Sequence, residues 1–208
     1  MSETKPLLVI FAGPNGSGKS SMIRIALERS DFLPDLYINA DDMTREKLGN
    51  EDSRTIDQSK LNEFNLEAAN QADKIRQEAV EAHRSFATET VMSTPAKINL
   101  MREAKAKGFK VHLMYIATQD PLININRVYD RVQKGGHDVP AEKIEERYEK
   151  AMQLLPLAIQ VADTAELYNN SFETPKLILE KTADCEIKIY PQNPFTVESM
   201  DPREIRNA

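Results

Sequence analysis

The 208-residue sequence predicts a three-layer α/β fold, a central parallel sheet with helices on both faces. Two observations carry that expectation. Short, nearly unbroken apolar runs such as "LLVIFA" (7–12) and "FKVHLMYIAT" (109–118) read as strands buried on both faces. Helical patterns separate the strand-like runs, and strand–loop–helix alternation is how a parallel sheet is written. No internal repeat or low-complexity linker divides the chain. Residues 1–190 therefore read as one domain and 191–208, with three prolines, as an irregular tail.

In chain order, "LLVIFA" ends at a glycine-rich turn, and "KSSMIRIALERS" (19–30) follows as a helix with Met22, Ile23, Ala26 and Leu27 inward. "DLYINADD" (35–42) and "SFATET" (85–90) read as short strands ending in polar residues. Between them, Leu61, Phe64, Ala68, Ala72, Ile75 and Ala79 recur at spacings of three and four, the apolar face of a helix over 58–83 packed on the sheet. A Thr-Pro start and a glycine stop bound a helix over 94–108. Helices at about 120–134 and 140–156 flank "KGGHDVP", and "AELYNNS", "PKLILEK" and "EIKIY" are late strand-like runs. Ligands of such sheets sit at the carboxyl ends of the strands, where the loops after residues 12, 40 and 89 should converge.

The strongest motif is Gly13-Pro14-Asn15-Gly16-Ser17-Gly18-Lys19-Ser20, followed by Ser21. It matches G-x-x-x-x-G-K-[ST] at every fixed position, between a strand and a helix. Glycines let the backbone wrap closely around phosphates, and the helix N-terminus favours an anion. Lys19 is placed to reach the β- and γ-phosphates and Ser20 to ligate Mg²⁺, so ATP and Mg²⁺ are the expected ligands. The chain lacks D-x-x-G, N-K-x-D and LSGGQ-like signatures and an Asp-Glu strand end. That favours a P-loop kinase-like fold acting on a small molecule over a GTPase, transporter ATPase or motor.

Transfer to a hydroxyl needs a carboxylate that orients the acceptor and takes its proton, and cations that screen the phosphoryl group. "NADD" supplies Asp41 and Asp42; "ATET" supplies Glu89 and Thr90. Arg127 and Arg131 are four apart, on one helical face, ahead of a glycine pair that would hinge a lid. His137, in the loop beyond, reads as a structural hydrogen-bonding residue, Arg147 as a surface ion-pair residue, and "YNNS" (168–171) as a turn, with a lining for adenine the alternative.

The net charge of −6 argues against a broad electrostatic grip on nucleic acid or anionic membrane, and no apolar run approaches a membrane span. Cys185 is the single cysteine and reads as a small buried residue. A reducing, cytoplasmic setting fits. Two other readings stay open: a nucleotide-binding interaction module without kinase activity, and a polynucleotide end kinase, against which the acidic balance counts.

Taken together, the phosphate loop, "INAD", "ATET" and "RVYDRVQKGGHDVP…RYEKAMQLLP" resemble the zeta toxin family over about residues 7–170, in particular its short stand-alone bacterial members. The resemblance implies a P-loop kinase fold. It also implies an ATP-dependent transfer to a hydroxyl of a sugar nucleotide such as UDP-N-acetylglucosamine, and an antitoxin partner that blocks the nucleotide site. By position, it puts the catalytic carboxylate on Asp41 and a substrate-binding carboxylate on Glu89. Arg127 and Arg131 are the nearest candidates for its lid arginines. This short chain lacks segments of the longer toxins' sugar-nucleotide pocket, so another sugar nucleotide, a dinucleotide or an antibiotic also remains open as acceptor.

Overall fold

The computed structural model describes residues 5–29, 33–49, 56–136 and 138–191. Elements follow in the order β1 (Leu7–Ala12), α1 (Lys19–Arg29), β2 (Tyr37–Ile38), α2 (Ala40–Leu48), α3 (Gln58–Glu81), β3 (Phe86–Thr90) and α4 (Ala96–Ala106). Then come β4 (Lys110–Ala117), α5 (Pro121–Gln133), α6 (Ala141–Val161), β5 (Thr164–Asn169), β6 (Lys176–Lys181) and β7 (Ile187–Ile189).

β1 is inside the sheet because almost nothing in it is polar. Leu8, Val9, Ile10 and Phe11 are fully buried, each worth roughly 1.5–3 kcal/mol of transfer free energy. Their alternation feeds two cores. Leu8, Ile10 and Ala12 pack with Ala72 of α3, Met101 of α4 and Leu155 of α6. Val9 and Phe11 face Ile23 of α1. The strand order is β2-β3-β1-β4-β5-β6-β7. β1 runs parallel to both neighbours, with Val9 opposite Ala87 on one side and His112 on the other. The chain leaves β1 for opposite sides of the sheet in its two halves, and this reversal opens the crevice at its carboxyl end.

Several expectations are corrected. The sheet is mixed: β2 to β5 are parallel with β1, but β5–β6 and β6–β7 pair antiparallel. "DLYINADD" contributes a strand of two residues only, because Asn39 caps a helix: its side chain accepts from the Asp41 amide. Asp41 and Asp42 therefore occupy the first turn of α2, where the helix dipole favours carboxylates. α6 runs through Pro156 to Val161, since Leu155, Ala158 and Ile159 are buried and outweigh the lost backbone bond. Pro95, not Thr94, caps α4, and no side chain assists it. Cys185 is exposed, in a left-handed conformation (φ 62°) on the β6–β7 turn. The Leu27 side chain, His137 and the tail over 192–208 lie outside the described residues. Among the described residues, no helix is long and apolar enough to cross a membrane.

Candidate active site

The turn from β1 into α1 is shaped by protein packed behind it. A Cβ on Gly13 would lie 2.0 Å from the Ile116 carbonyl oxygen, one on Gly16 2.5 Å from that of Asn124, and one on Gly18 2.2 Å from Asn170 Nδ2. All three have positive φ, 143°, 75° and 93°. The glycines thus serve close approach of the protein to itself, a reason additional to the phosphate contact expected of them. The Gly13 amide bonds the Thr90 carbonyl at 3.2 Å, and Ser17 N that of Pro14 at 3.2 Å.

Two asparagines hold the loop from outside. Asn124 of α5 donates to the Asn15 carbonyl and Asn170, just past β5, to that of Ser17, each at 2.7 Å. Asn124 in turn accepts from Thr118 Oγ1, and the Thr118 carbonyl accepts from Tyr148 of α6 at 2.6 Å. Arg147, also on α6, donates to Asn15 Oδ1 at 3.5 Å, so it faces the loop instead of serving as a surface ion pair. Neither asparagine carries a signal in the sequence beyond its polarity; "YNNS" reads as a turn, and the turn is a brace.

A cleft of about 510 Å³ opens over this loop. Asn15, Gly16, Gly18, Lys19, Ser20 and Ser21 line it; Gly13, Pro14 and Ser17 lie beneath. Lys19 is 7% exposed, and its Nζ donates to the Pro14 carbonyl at 3.0 Å and stands 3.8 Å from Glu89 Oε1. Burial lowers the Lys19 ammonium below its usual range, against the pull of Glu89. Burial likewise pushes the Glu89 carboxyl up, and Lys19 opposes it. Glu89 Oε2 accepts from Tyr37 Oη (3.1 Å) and Asn39 Nδ2 (3.2 Å), fixing the carboxylate across the β2 and β3 ends. The Tyr37 phenol is raised by burial and by Glu89.

Asp41 lines the cleft on the exposed first turn of α2, whereas Asp42 turns to Arg45 at 2.8 Å and does not. Thr90 lines it too, its hydroxyl accepting from Met92 N at 3.0 Å. Arg127 and Arg131 bring α5 to the opposite wall, with Arg127 Nη1 buried and without a partner among the described residues. The glycine pair closes α5: Gly136 N bonds the Arg131 carbonyl and Gly135 N that of Val132, both at 2.9 Å. The sequence reading missed Asp73 and Arg76 of α3 and Lys97 of α4, which also line the cleft. Their helices read as core-packing faces, and nothing local marks these three charges as facing inward.

The arrangement fits a nucleoside triphosphate with its metal. Lys19, the amides opening α1 and two arginines form a polyanion's donor set, and no acidic residue occupies the first turn of α1. Ser20 lies in the same cleft beside Lys19, placed to hold Mg²⁺ jointly with phosphate oxygens. Asp41 and Glu89 line the same cleft.

Among solved structures, the chain is similar to the AvrRxo1-ORF1:AvrRxo1-ORF2 complex, determined with sulphate ions (TM-score 0.71, 15% identity) and with ATP (TM-score 0.69, 15% identity). The likeness covers 97% of this chain in both, and 65% and 63% of those chains, so this chain spans under two thirds of their length. It is also similar to the PezAT chromosomal toxin-antitoxin system of Streptococcus pneumoniae (TM-score 0.63, 16% identity, 100% of this chain and 88% of that one). An uncharacterized protein of Haemophilus influenzae is 28% identical over 140 residues, 67% of this chain and 91% of the relative. The likenesses to solved structures show the fold. The zeta toxin family profile matches residues 1–173, and the chain belongs to the zeta toxin family.

Proposed function

We propose that this protein transfers the γ-phosphoryl group of ATP to a hydroxyl of a small molecule, with sugar nucleotides such as UDP-N-acetylglucosamine the first acceptors to test. The observation that carries this reading is the convergence of Asp41, on the first turn of α2, and Glu89, near the end of β3, on the cleft that Lys19 lines. A module that only binds nucleotide has no need of a proton-accepting carboxylate at its triphosphate site.

Bound ATP would supply the phosphoryl group, with Mg²⁺ held by Ser20 offsetting its charge. Asp41 accepts the hydroxyl proton as the acceptor oxygen bonds to phosphorus and the ADP oxygen departs. Glu89 and Thr90 position the acceptor. Lys19, Arg127 and Arg131 stabilise charge on the transferring group. The likeness to the PezAT toxin-antitoxin system supports a protein antitoxin as partner, and a cytoplasmic setting would supply ATP.

The test is transfer from γ-labelled ATP, with Mg²⁺, to a panel of sugar nucleotides, NAD and short oligonucleotides. In Asp41→Asn, ATP binding should persist while transfer falls by about 10²–10⁴-fold. Binding without transfer to any acceptor, unchanged by the substitution, would sink this reading in favour of a nucleotide-dependent interaction module. Label on oligonucleotides alone would make it an end kinase.

A further inference from the structure

The two oxygens of Glu89 answer to different partners. Oε1 faces Lys19 Nζ across 3.8 Å, a cation that a bound triphosphate would draw toward itself. Oε2 accepts from Tyr37 Oη at 3.1 Å and from Asn39 Nδ2 at 3.2 Å, and Asn39 Nδ2 donates to Tyr37 Oη as well, at 3.2 Å. Both donors to Oε2 are neutral, with no charge for a phosphate to attract. Asn39 has a second task. Its Oδ1 caps α2 by accepting from the Asp41 amide at 2.9 Å, so one planar group sets both carboxylates of the cleft. Asp41 N can only donate and an ionised Glu89 only accept, which fixes the way that planar group faces.

Behind the site, these contacts are anchored to the sheet. Ile38 pairs with Thr88 between β2 and β3, and the Thr88 hydroxyl donates to the Ile38 carbonyl at 2.8 Å. Arg76, 5% exposed between Ala72 and Ala79 in the apolar seam of α3, donates to Thr88 Oγ1 at 3.2 Å. The backbone carrying Tyr37 and Asn39 is thereby tied to the backbone carrying Glu89. Burial pushes the Glu89 carboxyl up, and Asp41 and Asp42 of α2 push the same way; Lys19 and the Tyr37 hydrogen bond oppose them. Arg131 of α5 acts on Lys19 in turn. The Tyr37 phenol is itself raised by burial and by Glu89, so it keeps its proton as a donor. Once phosphate engages Lys19, the hydroxyl and the amide are what remain to hold Glu89 ionised and in place.

We propose that Tyr37 and Asn39 are positioning residues, a clamp on Glu89 Oε2 that keeps Oε1 turned to the acceptor when the nucleotide has drawn Lys19 away. Naming the acceptor as what Oε1 meets rests on the phosphotransferase reading; the clamp itself does not. If the two contacts serve the fold alone, their loss moves stability and leaves the Glu89 proton where it was.

The experiment follows the Glu89 side-chain carboxyl by carbon NMR through a pH titration of the full chain, free and saturated with a non-hydrolysable ATP analogue and Mg²⁺. Tyr37→Phe removes one donor and keeps the ring in its strand. Asn39→Ser removes the other and keeps a capping oxygen for Asp41 N. Both variants should melt, and bind the analogue, close to the wild type. In the loaded protein each should raise the Glu89 midpoint by about one pH unit, the loss of one hydrogen bond to a charged group. The rise should be smaller in the free chain, where Lys19 still pairs with Glu89. For an acceptor that the wild type phosphorylates, KM should rise about tenfold while the KM for ATP holds. A midpoint unmoved in both loaded variants overturns the clamp, and so does a shift no larger with the analogue than without it. Midpoint shifts as expected, with no transfer by the wild type to any acceptor, would leave the clamp standing and remove the kinase reading alone.

Discussion

Lys19 Nζ stands 3.8 Å from Glu89 Oε1, and each holds the other's charge in a place where burial works against both. Burial raises Glu89 above its ordinary value of 4.5, so the folded chain binds this proton more tightly than the unfolded one. By linkage, the group lowers stability progressively as pH rises through the interval above 4.5. Glu89→Gln keeps an oxygen for Tyr37 and Asn39 and removes the charge. Denaturant melts of the two proteins should agree most closely well below that interval. Across it the variant's relative stability should climb, even as transfer activity is lost. A difference that is flat with pH would show that Glu89 is not held against its ionisation.

The braces behind the phosphate loop should act on nucleotide affinity before chemistry. Asn124→Ala strands the Asn15 carbonyl and the Thr118 hydroxyl, so roughly 1–3 kcal/mol of stability should be lost. The KM for ATP should rise more than kcat falls, since neither group touches the transferring phosphoryl. Steady-state kinetics at saturating acceptor separate the two.

Gly16→Ala tests the packing reason for that glycine. The new Cβ would meet the Asn124 backbone oxygen at 2.5 Å, at a φ of 75°. A loss of more than about 1 kcal/mol is expected. Because the clash is with backbone, Asn124→Ala should not rescue it, and the thermal melt of the double variant should fall below either single one.

Lys181 is a further buried cation, and its contacts are structural. Its Nζ donates to the carbonyls of Ile159 (3.0 Å), Gln160 (2.9 Å) and Ala162 (2.6 Å), closing the last turn of α6 with β6. Lys181→Met should cost on the order of 2 kcal/mol and leave ATP affinity unchanged. Hydrogen exchange should rise first at the carboxyl end of α6.

What was readable in the sequence is what local chemistry determines. The run 7–12, the glycines after it and the helix from Lys19 appear where apolar patterning and backbone freedom put them. β4 was equally plain, being apolar through most of its length. Asp41 and Glu89 were legible as carboxylates at the ends of apolar runs, although Asp41 turned out to sit on a helix. Strand direction in β6 and β7 was not legible, since three to six residues of alternating pattern look alike either way round. Arg76 was hidden because it sits in an apolar stripe, and its partner Thr88 is on another element. Asn124 and Asn170 were hidden for a stronger reason: each acts on a carbonyl 109 or 153 residues away, and no window of sequence contains both ends.

That last separation bears on how the protein is made. The phosphate loop is synthesised well before the side chain that holds the Ser17 carbonyl, which follows 153 residues later. Domains commit to structure as the chain emerges. Here the motif exists long before its shape does, because β5 must dock before Asn170 arrives. A nascent or truncated chain ending short of that residue carries every letter of the motif but lacks the hydrogen bond that holds the Ser17 carbonyl. For a member of the zeta toxin family, the loop's full bracing is thereby deferred until Asn170 has been made.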